Sequence, residues 1–288
     1  MAGIFGFFDF TRPGKGINPD DPEKRALFRF LDILWHKKGK LIAMNIMYFI
    51  CVLPIVLAFH VLLYNYIDTL LEENEYIGSL FLMFFSFIGN INTLILLIIL
   101  IISVFLLGPA TCGLTYMLRN FVRSEHAWIS DFWQRAKENL KQGLFLGILD
   151  VVMFYIGFYN IFLLVDPDSE ISSFFVIAAL VAFVLYLCMR NTLYLMAVSV
   201  ELTNFALIRN AVILTFDGFW RHLLTGLIYA FYIFLIFLIN PFVELIVLPF
   251  LGFSLLGLTS VFICYPIVDK RLIQPQLNSA EKDAGEQI

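Results

Sequence analysis

Residues 143–198 read GLFLGILDVVMFYIGFYNIFLLVDPDSEISSFFVIAALVAFVLYLCMRNTLYLMAV. Two long apolar runs flank the acidic turn Asp166-Pro167-Asp168-Ser169-Glu170. A helix needs roughly 20 apolar residues to cross a hydrocarbon core about 30 Å thick, and each run supplies that length. A buried helix of a soluble domain is usually shorter and carries a polar stripe. The segment therefore reads as a transmembrane hairpin, with spans at about 143–165 and 172–198.

Composition extends this reading to the whole chain. Of its 288 residues, 60% are hydrophobic and 15% charged. Soluble domains carry about 45–50% apolar and about 25% charged residues. Further spans are expected at about 41–61, 91–112, 223–239 and 244–267, which makes six. Pro54 falls inside the first and should kink it. Gly108-Pro109 should bend the inner end of the second, and a short outer-face helix is expected near 79–88. The fold class is all-α, a polytopic bundle of six transmembrane helices with amphipathic helices on its inner face. Residues 1–40 read as a cytoplasmic segment, 41–268 as the transmembrane domain and 269–288 as a cytoplasmic tail. No cleavable leader is expected, because MAGIFGFFDF lacks a basic start.

Charge sets the expected orientation, since Lys and Arg near membrane ends stay on the cytoplasmic side. Of 19 basic residues, eight lie in 1–40, five in the loop 119–142, two in 199–222 and three in the tail; Arg190 lies inside a span. The three expected outer loops carry Asp68, Glu72, Glu73, Glu75, Asp166, Asp168 and Glu170 instead. Both ends are thus expected in the cytoplasm. Trp35, Trp128, Trp133 and Trp220 all fall at the inner interface, where an aromatic belt belongs.

Phe28–Lys40 reads as an amphipathic helix on the inner surface, and Asp131 as the cap of a second one containing Phe132, Trp133, Ala136 and Leu140. Trp128, Asp131, Phe132, Trp133, Arg135 and Lys137 form a candidate partner-contact loop. Phe30–Ile50, Phe132–Val152 and Phe216–Ile236 share a plan of aromatic residues, a basic stretch and a span. That similarity points to three repeated helical hairpins.

Asp150 and Arg190 lie roughly 10–12 Å inside adjacent spans at 1.5 Å per residue. A lone charge at that depth costs about 2.5–3.5 kcal/mol, so the two are expected to pair. They form a candidate intramembrane polar site or a register-fixing pair. Asn45, Asn160, Asn191, Asn240 and Glu244 are candidates for bonds between helices.

No GxxxxGK[ST], HExxH or GxSxG occurs, so catalytic, cofactor-binding and metal-ligating residues are all expected to be absent. The four cysteines sit in apolar runs without CxxC spacing and read as packing residues. A net charge of −4 gives no field for nucleic acid. The expected surroundings are a lipid bilayer.

The segments RFLDILWHKKGKLIAMNIMYFICVLPIV (29–56), GPATCGLTYMLRNFVRSEHAWISDFWQRAKENLKQGLFLG (108–147) and LIRNAVILTFDGFWRHLL (207–224) resemble the YesL family of bacterial membrane proteins. FGFFDFTRPGKGINPDDPEKR (5–25) is similar to that family as well, and the resemblance runs over about residues 4–275. Its most specific part surrounds Gly108-Pro109-Ala110 and Asp131-Phe132-Trp133. Genes of the family typically lie beside carbohydrate ABC importers, solute-binding proteins, glycoside hydrolases and two-component regulators. The resemblance implies a role in oligosaccharide uptake at a bacterial cell membrane, with ABC permease subunits as partners. The chain lacks the EAA-type loop by which such permeases dock their ATPase. It is therefore expected to be an accessory, non-enzymatic membrane subunit. A stand-alone small-solute transporter or channel, and a membrane regulator coupled to sugar sensing, are the alternatives.

Overall fold

A computed structural model describes residues 25–70, 93–165, 173–239 and 246–278. The expected N-terminal segment up to residue 24, the outer helix 79–88, the acidic turn 166–170, Asn240, Glu244 and the tail from 279 lie outside the described residues. So do the side chains of the acidic loop that begins at Asp68.

Among the described residues every regular element is helical, with no strand. The helices are α1 (Ala26–Leu70), α2 (Thr93–Val122), α3 (Ile129–Glu138), α4 (Leu140–Val165), α5 (Ser173–Ala197), α6 (Asn204–Asp217), α7 (Phe219–Ile239) and α8 (Phe253–Val268). One π-helical turn, Leu248–Gly252, leads into α8, and another, Asp269–Ile273, follows it. Among the described residues five stretches are long and apolar enough to cross a membrane: Ala26–Leu57, Leu100–Val122, Leu140–Asn160, Phe174–Ala197 and Leu248–Asn278. A sixth arises only if α6 and α7, bent by 89° against each other, count as one. This is a multi-pass helical membrane bundle.

The surface has the polarity that lipid demands. Large apolar side chains stand exposed along Ile98, Ile101 and Phe105 of α2, Val152 and Ile156 of α4, Phe174, Val181 and Val184 of α5, and Leu227, Phe231 and Phe234 of α7. Water would penalise such a belt, whereas acyl chains solvate it. Polar groups are turned inward instead: Asn45, Asp150, Thr192 and Ser254 are almost wholly buried.

Helix α2 is the hub and touches α1, α3, α4, α5 and α8. Its C-terminal half supplies Met117, Leu118 and Phe121 to the core, against Leu41 and Met44 of α1 and Leu193 and Met196 of α5. Its crossing with α4 is a backbone contact. A methyl added to Gly108 would lie 1.7 Å from the Gly143 carbonyl oxygen and 2.8 Å from the Gly147 nitrogen. One added to Gly143 would meet Pro109 at 2.8 Å. Gly143 and Gly147 form a GxxxG face, and Gly108-Pro109 nests into it. Without a hydrophobic force between helices in lipid, such close van der Waals approach is what joins them.

Several expected boundaries move. Phe28–Lys40 is not a separate surface helix; it lies in the first turns of α1, which runs without a break past the expected boundary at residue 40. Phe30 packs edge-on against Phe262 of α8 at 5.4 Å, and Arg29 lies 5.3 Å from the same ring, so this stretch has a partner in the bundle. The expected loop 119–142 is mostly helical. Helix α2 runs on to Val122 and ends in a Schellman turn. There Glu125 N–H donates to Asn120 O at 2.8 Å, Ser124 N–H donates to Phe121 O at 3.1 Å, and Ser124 takes φ 61°. The loop 199–222 holds α6, capped by the Thr203 hydroxyl, which accepts from Ala206 N–H at 3.4 Å. The expected tail boundary at 268 falls inside a helical run that continues to residue 278. The three segments of the expected repeat also differ locally. Phe30–Ile50 is uninterrupted, whereas the second breaks at Asn139 and the third at Gly218.

Gly108→Ala and Gly143→Ala should each force α2 and α4 apart and cost about 1–3 kcal/mol. Gly226→Ala, with nothing within 4 Å of its added methyl, should be neutral or better. Thermal unfolding in detergent checks this; equal midpoints for Gly108→Ala and Gly226→Ala would refute the backbone contact.

Candidate functional site: a polar cavity backed by Asp150 and Arg190

Asp150 lies three residues beyond Gly147, and the α2–α4 crossing fixes the rotation of the helix that carries it. Across from it, α5 presents Tyr186, Arg190 and Tyr194. Their spacing of four places all three on one helical face. All three donate to the Asp150 carboxylate. Arg190 Nε reaches Oδ1 at 2.7 Å and Nη2 reaches Oδ2 at 2.9 Å, a two-pronged ion pair. The Tyr186 hydroxyl donates to Oδ1, and the Tyr194 hydroxyl donates to Oδ2 at 2.7 Å. A carboxylate offers about four lone-pair sites, and here each oxygen receives two donors. The structure thus brings the two expected charges together and adds two tyrosines that the sequence reading did not name.

The two partners differ in surroundings. The Asp150 side chain is 0% exposed, whereas that of Arg190 is 21% exposed. Arg190 borders a partly open cavity of about 130 Å³ lined by α1, α2, α5, α7 and α8. Its polar lining comprises Tyr48, Thr111, Thr115, Arg190, Asn191, Tyr194, Tyr229 and Ser260. Leu114, Leu118, Phe253, Leu256 and Val261 supply the apolar part. Asp150 is not on this wall; it sits behind the guanidinium and fixes it. The Arg190 guanidinium also lies 5.1 Å from the Tyr194 ring and 6.0 Å from the Phe154 ring.

Proton directions on the wall follow from the bonds. Thr111 Oγ1 donates its single hydrogen to Leu107 O at 2.7 Å. Tyr48 must then be the donor in its 3.1 Å contact with Thr111. The Tyr229 hydroxyl donates to Leu256 O at 3.1 Å.

Asn45, fully buried, joins α1 to the start of α8. Its Nδ2 donates to Leu248 O and Pro249 O, both at 2.6 Å, and its Oδ1 accepts Ser254 N–H at 2.7 Å. It thereby satisfies backbone groups at the π-helical turn, where Pro249 has no N–H to give. Asn160 Nδ2 donates to Ile156 O of its own helix at 2.8 Å.

The candidate partner-contact loop divides. Trp128, not Asp131, is the N-cap of α3, in extended conformation. Asp131 occupies the third helical position, where its carboxylate accepts Trp128 N–H at 2.8 Å. An indole has no acceptor, so only this half of a capping box forms. Phe132 is fully buried and is not available to a partner. It faces α2 where Gly113 permits contact; a methyl there would lie 2.5 Å from the Phe132 carbonyl oxygen. Arg135 bonds to Glu138 Oε2 at 2.6 Å and lies 4.5 Å from the Tyr116 ring. Trp128, Trp133 and Lys137 remain exposed, with Trp128 stacked on His126 at 4.7 Å.

One buried cation escaped the sequence reading as an internal residue. Arg119 is 9% exposed, and its Nη1 donates to Val198 O at 2.5 Å beyond the end of α5 and to Ser199 Oγ at 3.2 Å. Among the described residues no group of three or more His, Cys, Asp or Glu side chains forms a metal-binding set.

Residues 41–161 match the family model described as "Protein of unknown function, DUF624". That span runs from α1 to α4 and contains Gly108, Gly143, Gly147 and Asp150, while Arg190 lies beyond it. No curated protein and no solved structure matches the chain.

Removing one partner of a buried pair leaves the other uncompensated, at a cost of about 3–5 kcal/mol. Asp150→Ala and Arg190→Ala should each lower the unfolding midpoint strongly. Asp150→Leu/Arg190→Met should lose less than the two single losses combined. Strict additivity in thermal unfolding would show that the residues do not act as a pair.

Proposed function

We propose that this chain is an accessory, non-enzymatic subunit of a bacterial carbohydrate ABC import system, in the cell membrane with both ends cytoplasmic. The exposed aromatic and basic face of α3, with Trp128, Trp133 and Lys137, carries the reading. The likeness to YesL-type proteins supports the same reading, since DUF624 is the domain those proteins carry. At the basic end, Trp128, Trp133 and Lys137 on α3 and Trp220 on α7 stand exposed, which suits docking to another membrane protein beside the headgroups.

Isolation of the tagged chain from native membranes in mild detergent should bring down the permease subunits of a carbohydrate ABC importer. Trp128→Ala/Trp133→Ala should reduce that recovery while leaving the monomer folded. Repeated isolation without any permease subunit would overturn the proposal.

The cavity itself favours a second reading, a stand-alone carrier of small solutes. Purified chain in liposomes would then move a solute without partners. Absence of flux for every small neutral or anionic solute tried would remove this reading.

A further inference from the structure

We propose that α6 is an in-plane membrane anchor. Its exposed apolar stripe inserts at the headgroup–acyl boundary of the leaflet at the basic end of the bundle, and Arg209 meets phospholipid phosphates there.

Direction comes first. Helix α6 stands at 89° to α7. Helix α7 has 21 residues and is roughly 31 Å long at 1.5 Å per residue. If the pair is one pass, α7 supplies all of its depth. Leu223, Leu227, Phe231 and Phe234 stand exposed along α7, so this helix takes the crossing direction with its side in acyl chains. A helix perpendicular to it runs along the membrane plane. The bond from Arg119 to Val198 O and the ion pair of Arg271 with Asp217 place both ends of α6 at the basic end.

The faces of α6 come second. Phe205, Arg209, Val212, Ile213 and Phe216 are all exposed. At 100° per residue they share about 100° of arc. Leu207, Ala211, Leu214 and Thr215 occupy the opposite side and are buried in the bundle. Asn210 and Asp217 lie on the flank between the two, and Asp217 is held by Arg271 at 2.7 and 2.9 Å. A helix with one packed face, one polar flank and one apolar stripe fits a boundary where lipid and water meet.

The occupant of the stripe comes third. Phe219 and Trp220 are exposed at the corner and carry the apolar surface without a break onto the lipid-facing side of α7. An indole at that corner suits headgroup level. Arg209, within the stripe, has no hydrogen bond or ion pair among the described residues. Its methylene stem can lie on the apolar surface while the guanidinium reaches phosphate oxygens.

The anchor is independent of the importer association, because it needs only this chain and lipid. The test uses full-length protein in bilayer discs of phosphatidylcholine and phosphatidylglycerol, spin-labelled at Phe205→Cys, Phe216→Cys or Leu227→Cys. Wild type carried through the same labelling gives the background from its four cysteines. Depth is read from collisions with oxygen against a water-soluble nickel chelate. All three positions are exposed, so the fold should survive; Val212→Cys and Ile213→Cys report on the same stripe if either phenylalanine variant fails to fold. The labels at 205 and 216 should favour oxygen, lie at equal shallow depth, and sit well above the label at 227. Arg209→Glu should shift both toward water. Positions 205 and 216 are roughly 16 Å apart along the helix, so a depth difference of that size would make α6 part of a crossing and overturn the proposal. Exposure of both to the nickel chelate would overturn it too, as would shielding from both reagents, which would mean that protein covers the stripe. Unchanged depths in Arg209→Glu would overturn the phosphate contact. None of these results bears on co-isolation with a permease, so the two ideas fall separately.

Discussion

Much of the architecture depends on burying one carboxylate. Asp150 lies within an apolar bundle, where an unpaired charge is expelled or neutralised. Four donors meet it, and all four come from one helical face, Tyr186, Arg190 and Tyr194 of α5. That arrangement tolerates little sliding between α4 and α5. A shift of one residue on either helix would rotate the side chain by about 100° and break the set. Helix α4 is held in turn by its glycine face against α2, where no side chain separates the backbones. The chain of constraint therefore runs from Gly108, through Gly143 and Gly147, to Asp150, to the α5 stripe, and ends at the cavity wall that Arg190 helps to form.

The basic end is organised by a different use of charge. Lys40 Nζ donates to Ala127 O at 2.5 Å, Arg119 Nη1 to Val198 O at 2.5 Å, and Arg221 Nη1 to Ile263 O at 3.0 Å. Gln142 reaches Leu202 O in the same manner. Val198 O follows the C-terminus of α5, where carbonyls lack helical partners and carry partial negative charge, while Ala127 O and Leu202 O lie in the connections before α3 and α6. Arg271 adds a two-pronged bond to Asp217 at 2.7 and 2.9 Å, tying the α6–α7 corner to the run beyond α8. Cations that keep a span oriented by headgroup attraction can thus also join successive elements. Their loss would be felt in packing as well as in topology.

What the sequence disclosed follows the range of each interaction. Span length and apolar content are local sums, so the helical membrane bundle was legible. The pairing of Asp150 with Arg190 was legible too, because both lie at similar distances from the acidic turn between their helices. The tyrosines at 186 and 194 were written in the same four-residue spacing and were passed over for lacking charge. The GxxxG at Gly143 and Gly147 was equally visible, but its partner Gly108 is fixed only when α2 and α4 meet. Asn45 and the π-helical turn at Leu248–Gly252 join residues about 200 positions apart, and no local pattern announces them. Phe132 illustrates the opposite error. It sits among exposed aromatics in the chain, and only the contact at Gly113 decides that it points inward.

The placement of Asp150 also constrains what the cavity can do. A residue that relays protons or holds cargo must show a free acceptor to the space it serves. Asp150 is sealed, absent from the wall, and engaged on both oxygens, so its part is to hold the guanidinium in place. Arg190 then meets the cavity with one edge fixed and the other open. A guanidinium held this way loses little freedom on meeting any polar group that enters the cavity. The charge pair thus does for the cavity what second partners do for metal ligands: it fixes a polar group whose outer edge makes the contact.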